Sequence, residues 1–202
     1  MKKILVWDLP VRIGHWLLVF AFILSYMTGD SERTRLMHVA AGYAVGGILA
    51  FRIFWGMVGT RYARFTSFLF SPRSAFTYLV ELLKGKPIHW AGHNPAGSYA
   101  IYTLILLGLA TTISGFAVYA EIGGSWLEDA HDMLSYAMLG MVCFHVLGVV
   151  VTSWAHHENL LLGMLNGYKP GKAEEAIESS KSRWGIAPVV SAVLASLLVF
   201  IT

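Results

Sequence analysis

The chain has 202 residues, of which 56% are hydrophobic and 13% charged, with a formal net charge of +3. That balance excludes an ordinary water-soluble domain, because several apolar runs are longer than a soluble core requires. The positive charge needs no nucleic-acid partner, since the basic residues cluster where membrane topology and anionic lipid place them.

The opening "MKKILVWDLPVRIGHW" has the lysines of a signal peptide, but Asp8, Arg12 and His15 interrupt the apolar core that such a peptide needs. No small-residue cleavage site follows, so the segment is expected to be retained. Leu9 to Thr28, His38 to Val58, Ala100 to Ala120 and Met133 to Trp154 each have about the length that crosses a hydrocarbon core as a helix. Between the second and third, Phe76, Leu79, Val80 and Leu83 recur at helical spacing, predicting a short amphipathic helix from Pro72 to Lys84 that lies on the interface. In the loop "KPIHWAGHNPAG", Asn94 and Pro95 are expected to start the third span. A polar linker then leads to Ile186 to Thr202, a shorter apolar segment expected to span as a fifth helix.

Loop charges set the orientation. Lys2, Lys3 and Arg12 precede the first span, and Arg61, Arg64, Arg73, Lys84 and Lys86 lie between the second and third. On the opposite face Arg33 and Arg35 are offset by Asp30 and Glu32, and "EIGGSWLEDA" carries only acids. The positive-inside rule therefore puts the N-terminus in the cytoplasm.

Depth sorts the histidines. His131 and His145 are fourteen positions apart in "HDMLSYAMLGMVCFH". Fourteen helical residues rise roughly 21 Å through almost four whole turns, so the two share a face at different levels. The second span runs the same way as the fourth, which puts His38 at the outer level with His131. The first runs oppositely, which puts His15 at the inner level with His145. Imidazoles facing one another at each of two levels suit the axial positions of haem iron, and a porphyrin is an apolar plate that belongs between helices.

The neighbouring residues extend this reading. Gly42 and Gly46 could leave a flat channel for a macrocycle, and Gly140 and Gly148 could do the same on the fourth span; close helix contacts are the alternative. Arg52 lies fourteen residues after His38 and is a candidate partner for propionates at the inner level, against simple snorkelling to headgroups. Arg12, Arg33 and Arg35 are weaker candidates of the same kind. His89 and His93 read as structural. His156 and His157 read as helix-end residues that suit the dipole, with His156 and Arg61 as candidates for contact with quinone. Cys143 is the lone cysteine and there is no C-x-x-C-H, so a haem here is type b and non-covalent.

The stretches "VWDLPVRIGHWLLV", "HVAAGYAVGGILAFRIFWGMVGTRYARF", "GHNPAG" and "HDMLSYAMLGMVCFH" resemble the bacterial di-haem cytochrome b-561 family, which includes the cytochrome b subunits of membrane nickel-iron hydrogenases. The resemblance covers most of residues 4 to 168, and His15, His38, His131 and His145 match that family's haem ligands. It implies a four-helix core in the bacterial inner membrane and electron transfer between quinone and a redox partner.

The combined expectation is an all-α integral membrane protein: a four-helix transmembrane bundle binding two haems, with a fifth C-terminal transmembrane helix. Residues 1–168 form the di-haem cytochrome b domain, 169–185 a polar linker and 186–202 the last helix. Inner haem iron is held by His15 and His145, and outer haem iron by His38 and His131. The expected partners are quinone, membrane lipid and a redox protein such as a hydrogenase-like, dehydrogenase or reductase subunit; a homodimer is compatible with the sequence. Two rivals are a self-sufficient quinone-linked oxidoreductase and a divalent-metal transporter using the histidine pairs.

Overall fold

Asp8 starts the first helix and ties it to the end of the second. In the computed structural model, which describes residues 2–86, 88–178 and 185–196, the Asp8 carboxylate caps helix α1 (Leu9–Thr28) by accepting from the Val11 N–H at 2.8 Å. Its second oxygen accepts from Trp55 Nε1 at 2.9 Å and Thr60 Oγ1 at 2.6 Å. Trp55 belongs to α2 (Arg35–Val58), so one buried carboxylate satisfies three donors and joins two helices.

The remaining helices follow in order: α3 (Pro72–Leu83), α4 (Pro95–Tyr119), α5 (Ser125–Ala155), α6 (Leu160–Asn166) and α7 (Ile186–Ser196). Four of them, α1, α2, α4 and α5, are long and apolar enough to cross a membrane. Their outward faces carry large exposed apolar residues, including Leu106, Ile113, Phe144, Leu147 and Val150, as lipid contact requires. Asn94 starts α4 as expected, its side chain accepting from the Gly97 N–H at 2.7 Å with Pro95 in the first turn.

Two helices begin well before their apolar runs. The fourth span was expected from Met133 but α5 starts at Ser125, and the third was expected from Ala100 but α4 starts at Pro95. Hydropathy reads hydrocarbon, whereas the helix is limited only by its caps; Glu128 and Asp129 sit in an extension beyond the apolar core, favoured near a helix N-terminus. His131 therefore stands well inside a helix rather than at its edge.

Helix α1 packs along α2, α2 along α4, and α4 along α5. Among the described residues α5 has its one extended seam with α4, together with a short contact to α6. It is thus held away from α1 and α2. The α2–α4 seam depends on small residues: a Cβ on Gly46 would lie 2.6 Å from Thr112 Cγ2, and one on Gly108 would lie 2.7 Å from Leu49 Cδ1. Gly46 is therefore a helix-contact glycine, the alternative that the sequence left open, and not part of a macrocycle channel. Gly42, Gly140 and Gly148 each face open space.

The end of the bundle that holds the N-terminus is closed by a cap that hydropathy does not reveal. Strand β1 (Lys2–Leu5) pairs antiparallel with β2 (Tyr168–Gly171), Lys2 opposite Gly171 and Leu5 opposite Tyr168. Gly167 has φ +89, and a Cβ there would lie 2.7 Å from the Trp7 carbonyl, so the turn into β2 requires glycine. Arg12 donates to the Leu165 carbonyl from Nε at 3.1 Å and Nη2 at 2.6 Å, which binds the end of α6 to α1. Tyr62 donates to the Glu175 carbonyl at 2.9 Å. The segment read as a linker therefore contributes β2 and a 3-10 turn (Ala173–Glu175) to this cap.

Helix α7 packs along α2 and α1. Its eleven described residues rise roughly 16 Å, about half of a hydrocarbon core. The rest of the expected fifth span lies outside the described residues.

Asp8→Ala should lower stability by on the order of 3 kcal/mol, because it orphans two buried side-chain donors and removes a helix cap. Thermal unfolding in detergent is the check, and Thr60→Val, which removes one of the three bonds, should cost less.

Candidate functional site

The far end of the bundle brings His38 and His131 together. Their ring centres are 6.1 Å apart and the ring planes are perpendicular. Each imidazole is held by its Nδ1: His38 Nδ1 is 2.8 Å from the Ser25 carbonyl of α1, and His131 Nδ1 is 3.1 Å from the Thr111 carbonyl of α4. A carbonyl can only accept, so Nδ1 carries a proton in both rings, and in the neutral form of each ring Nε2 keeps its lone pair. Ser25 Oγ at 3.4 Å and Ser114 Oγ at 3.0 Å add further support to the same nitrogens. This is the arrangement in which histidine binds a metal, with its outer nitrogen oriented by a backbone acceptor.

The cavity beside these rings has a volume of about 200 Å³ and is lined by residues including Gly42, Tyr43, Gly115 and Phe116. Gly115 gives His131 its place, since a Cβ there would lie 2.8 Å from the ring. An ion bound at about 2 Å by each of two opposed imidazoles puts their ring centres roughly 6 Å apart. The observed separation fits that value. Among the described residues no cluster of three or more His, Cys, Asp or Glu side chains could hold a metal ion. A bare ion would thus find two protein ligands at this level where a zinc site normally has at least three. A porphyrin brings its own four nitrogens, and the aromatic and glycine lining suits its flat apolar faces.

The level nearer the N-terminus is built differently. His15 of α1 and His145 of α5 are within electrostatic reach of one another. His15 Nδ1 is buried with no hydrogen-bond partner among the described residues. His93 lies in the same group. Its ring packs against Trp7 at 4.6 Å and Phe68 at 4.5 Å, and its Nδ1 is also buried and unpartnered. Burial, with Arg52, Lys169 and His145 adding to it, lowers the pKa of His93 to about 3, so this ring is neutral at physiological pH. His93 was read from sequence as structural, and its position just before α4 gave no sign that its ring packs against Trp7 and Phe68 within electrostatic reach of Arg52 and His145.

Arg52 is part-buried and does not snorkel freely: its guanidinium donates to the Ala63 carbonyl at 3.0 Å and lies over the Phe65 ring at 5.0 Å. One bond to a carbonyl leaves most of its five donors for another acceptor. Arg12 is committed to α6, and Arg35 pairs with Glu32 at 3.9 Å on the exposed far end. Arg61 lies over Tyr62 and donates to the Glu174 carbonyl at 3.4 Å, on the cap. His156 caps α5, and its Nε2 is 3.2 Å from the Tyr78 hydroxyl. Cys143 is exposed and reduced.

A family model described as prokaryotic cytochrome b561 matches residues 6–167. The "Probable Ni/Fe-hydrogenase 1 B-type cytochrome subunit" of Escherichia coli (strain K12) is 31% identical, over 83% of this chain and 91% of that protein. The "Probable Ni/Fe-hydrogenase B-type cytochrome subunit" of Rhodobacter capsulatus is 26% identical, over 84% of this chain and 82% of its own length. A protein of the same name from Rhizobium leguminosarum bv. viciae is also 26% identical, over 86% and 92%. No solved structure matches.

Gly42→Leu separates a filled gap from an empty one. Its side chain enters open space in the protein alone, so the fold should survive with little change in far-UV circular dichroism, while haem bound per chain should fall at least severalfold in a pyridine haemochrome assay.

Proposed function

The chain belongs to the prokaryotic cytochrome b561 family, and on that premise we propose that it holds two non-covalent b haems and passes electrons between the quinone pool and a redox enzyme. His38 and His131 hold one haem, His15 and His145 the other. The observation that carries this reading is the outer pair, two imidazoles with ring centres 6.1 Å apart and both Nδ1 atoms fixed on carbonyls.

When bound, haem b supplies reversible one-electron chemistry at its iron. The chain's own residues do the rest. His38 with His131, and His15 with His145, would be the protein ligands of a haem at each level, and a haem so held would supply outer-sphere electron transfer rather than binding of oxygen or a small substrate. The single helix α5 contributes one histidine to each level, so its rise of roughly 21 Å between His131 and His145 sets the separation of the levels. Its seam with α4 keeps that spacing rigid. Arg52, with donors to spare, would hold the propionates of a haem at the inner level and stabilise their charge.

Placement in the bacterial inner membrane, with the N-terminus in the cytoplasm, is supported by the loop asymmetry of lysine and arginine. The partner is a hydrogenase-like enzyme, a reading supported by the names of the relatives. The metal-transporter alternative is disfavoured by the two-donor levels.

Purified chain expressed with ample haem should contain two haems b, measured as pyridine haemochrome against protein. His38→Ala or His131→Ala should each remove one haem and spare much of the other, and His15→Ala or His145→Ala should do the converse. A colourless wild-type chain, or one equivalent of haem, would sink the proposal. Arg52→Leu should move the midpoint potential of the inner haem alone in a spectroscopic redox titration; an unchanged potential would leave Arg52 a structural residue.

A further inference from the structure

Helix α3 is too short to span a bilayer and contributes nothing to either histidine level, yet it has a separate face for each of three surroundings. One side is turned to the bundle, where Tyr78 is buried and α3 packs on α4. About a third of a turn away, Phe76, Leu79 and Leu83 recur at spacings of three and four and stand outward, Phe76 69% and Leu83 88% exposed. Another third of a turn round, Arg73, Thr77 and Lys84 share a face and are exposed, and the exposed Lys86 follows. Among the described residues Arg73, Lys84 and Lys86 form no salt bridge.

Between the basic face and the loop before α4 lies a groove of about 290 Å³, lined by Arg73, Ser74, Thr77, Glu81, Trp90 and Pro95 among others. Its loop wall is fixed. Trp90 meets Phe70 edge to face with ring centres 4.9 Å apart, the Phe70 carbonyl accepts from the Tyr99 hydroxyl at 2.9 Å, and the Trp90 carbonyl accepts from Lys169 Nζ at 3.1 Å. Its helix wall offers one guanidinium and two hydroxyls, a donor set that suits phosphate oxygens. Among the described residues that line it, Glu81 is the one acid. Pro95 begins α4, so the groove opens at the level where a span leaves the hydrocarbon.

We propose that this groove, with the basic and apolar faces of α3 beside it, binds an anionic phospholipid whose headgroup is a phosphodiester bearing hydroxyls, phosphatidylglycerol being the simplest of that class. Arg73 pairs with the phosphate, and the hydroxyls of Ser74 and Thr77 donate to it. Lys84 and Lys86 face the rest of the negative charge. Glu81 accepts from the headgroup hydroxyls. Phe76, Leu79 and Leu83 lie along the acyl chains, as the apolar face of an interfacial helix does.

Net charge decides between lipids that offer the same phosphate. A zwitterionic headgroup carries its own cation into a region that already holds Arg73, Lys84 and Lys86, with the exposed Arg64 in the same stretch between the second and third spans. An anionic one does not. A basic side chain beside an anionic bilayer surface contributes about fivefold in affinity, so three of them outweigh the single carboxylate of Glu81. The assignment depends on neither haem nor quinone.

The test uses the full chain in detergent, mixed with equal amounts of phosphatidylglycerol, phosphatidylethanolamine and phosphatidylcholine of identical acyl chains, and reads the retained lipid by native mass spectrometry. Wild type should retain phosphatidylglycerol at least fivefold over either zwitterionic lipid. The triple variant Arg73→Gln, Lys84→Gln, Lys86→Gln should lose at least fivefold of that retention, with phosphatidylcholine retention and far-UV circular dichroism unchanged. Thr77→Trp, an exposed substitution that fills the groove and keeps every charge, should do the same. Lys2→Gln with Lys3→Gln removes two exposed charges from the same end of the bundle and should leave retention within twofold. Equal retention of the three lipids by wild type overturns the proposal. So does a loss in the Lys2 and Lys3 variant as large as in the α3 variant, which would make the preference one of overall charge, or full retention by Thr77→Trp, which would put the lipid outside the groove.

Discussion

The bond from imidazole Nδ1 to a backbone carbonyl is the interaction on which the far end of this molecule depends. A neutral histidine in hydrocarbon is tolerable only if its N–H has an acceptor, and the acceptors for His38 and His131 are carbonyls of the helices behind them. Each bond closes a helix contact, α2 on α1 and α5 on α4. Each also leaves Nε2 with a free lone pair in the space between. Packing and metal-binding competence therefore come from the same bonds.

The seam pattern serves the same end. Were α5 packed as closely against α1 and α2 as against α4, the histidines would be buried in side chains and nothing flat could enter. Small residues instead draw α2 and α4 together at Gly46 and Gly108, and α5 stands off along most of its length. A cavity of about 200 Å³ opens beside the His38–His131 pair, lined by residues of α1, α2, α4 and α5.

At the opposite end the problem is reversed, since charges must be kept close to the hydrocarbon. Asp8 is matched with three donors, Glu158 with Lys169, and the strand pair joins residues near both ends of the described chain. The cap makes a platform of helix ends, loops and strands. His89 and His93 are brought there by the loop before α4, and His156 by the end of α5.

Much of this was legible along the chain. Four spans, the amphipathic α3, the Asn94 cap and the common face of His131 and His145 follow from local causes: an apolar run of bilayer length, a capping side chain beside proline, and a helical repeat that returns to the same face after fourteen residues. Direction alone, alternating from span to span, put His38 at the level of His131. Packing decided what lies between residues distant in sequence. It made Gly46 a contact and Gly42 an opening, paired Lys2 with Gly171, gave Arg12 to the end of α6 rather than to a propionate, and brought His93 to Trp7 and Phe68 and His156 to Tyr78. Periodicity reports the face and depth of a side chain; its neighbour depends on how the helices approach, and that is set by many small contacts acting at once.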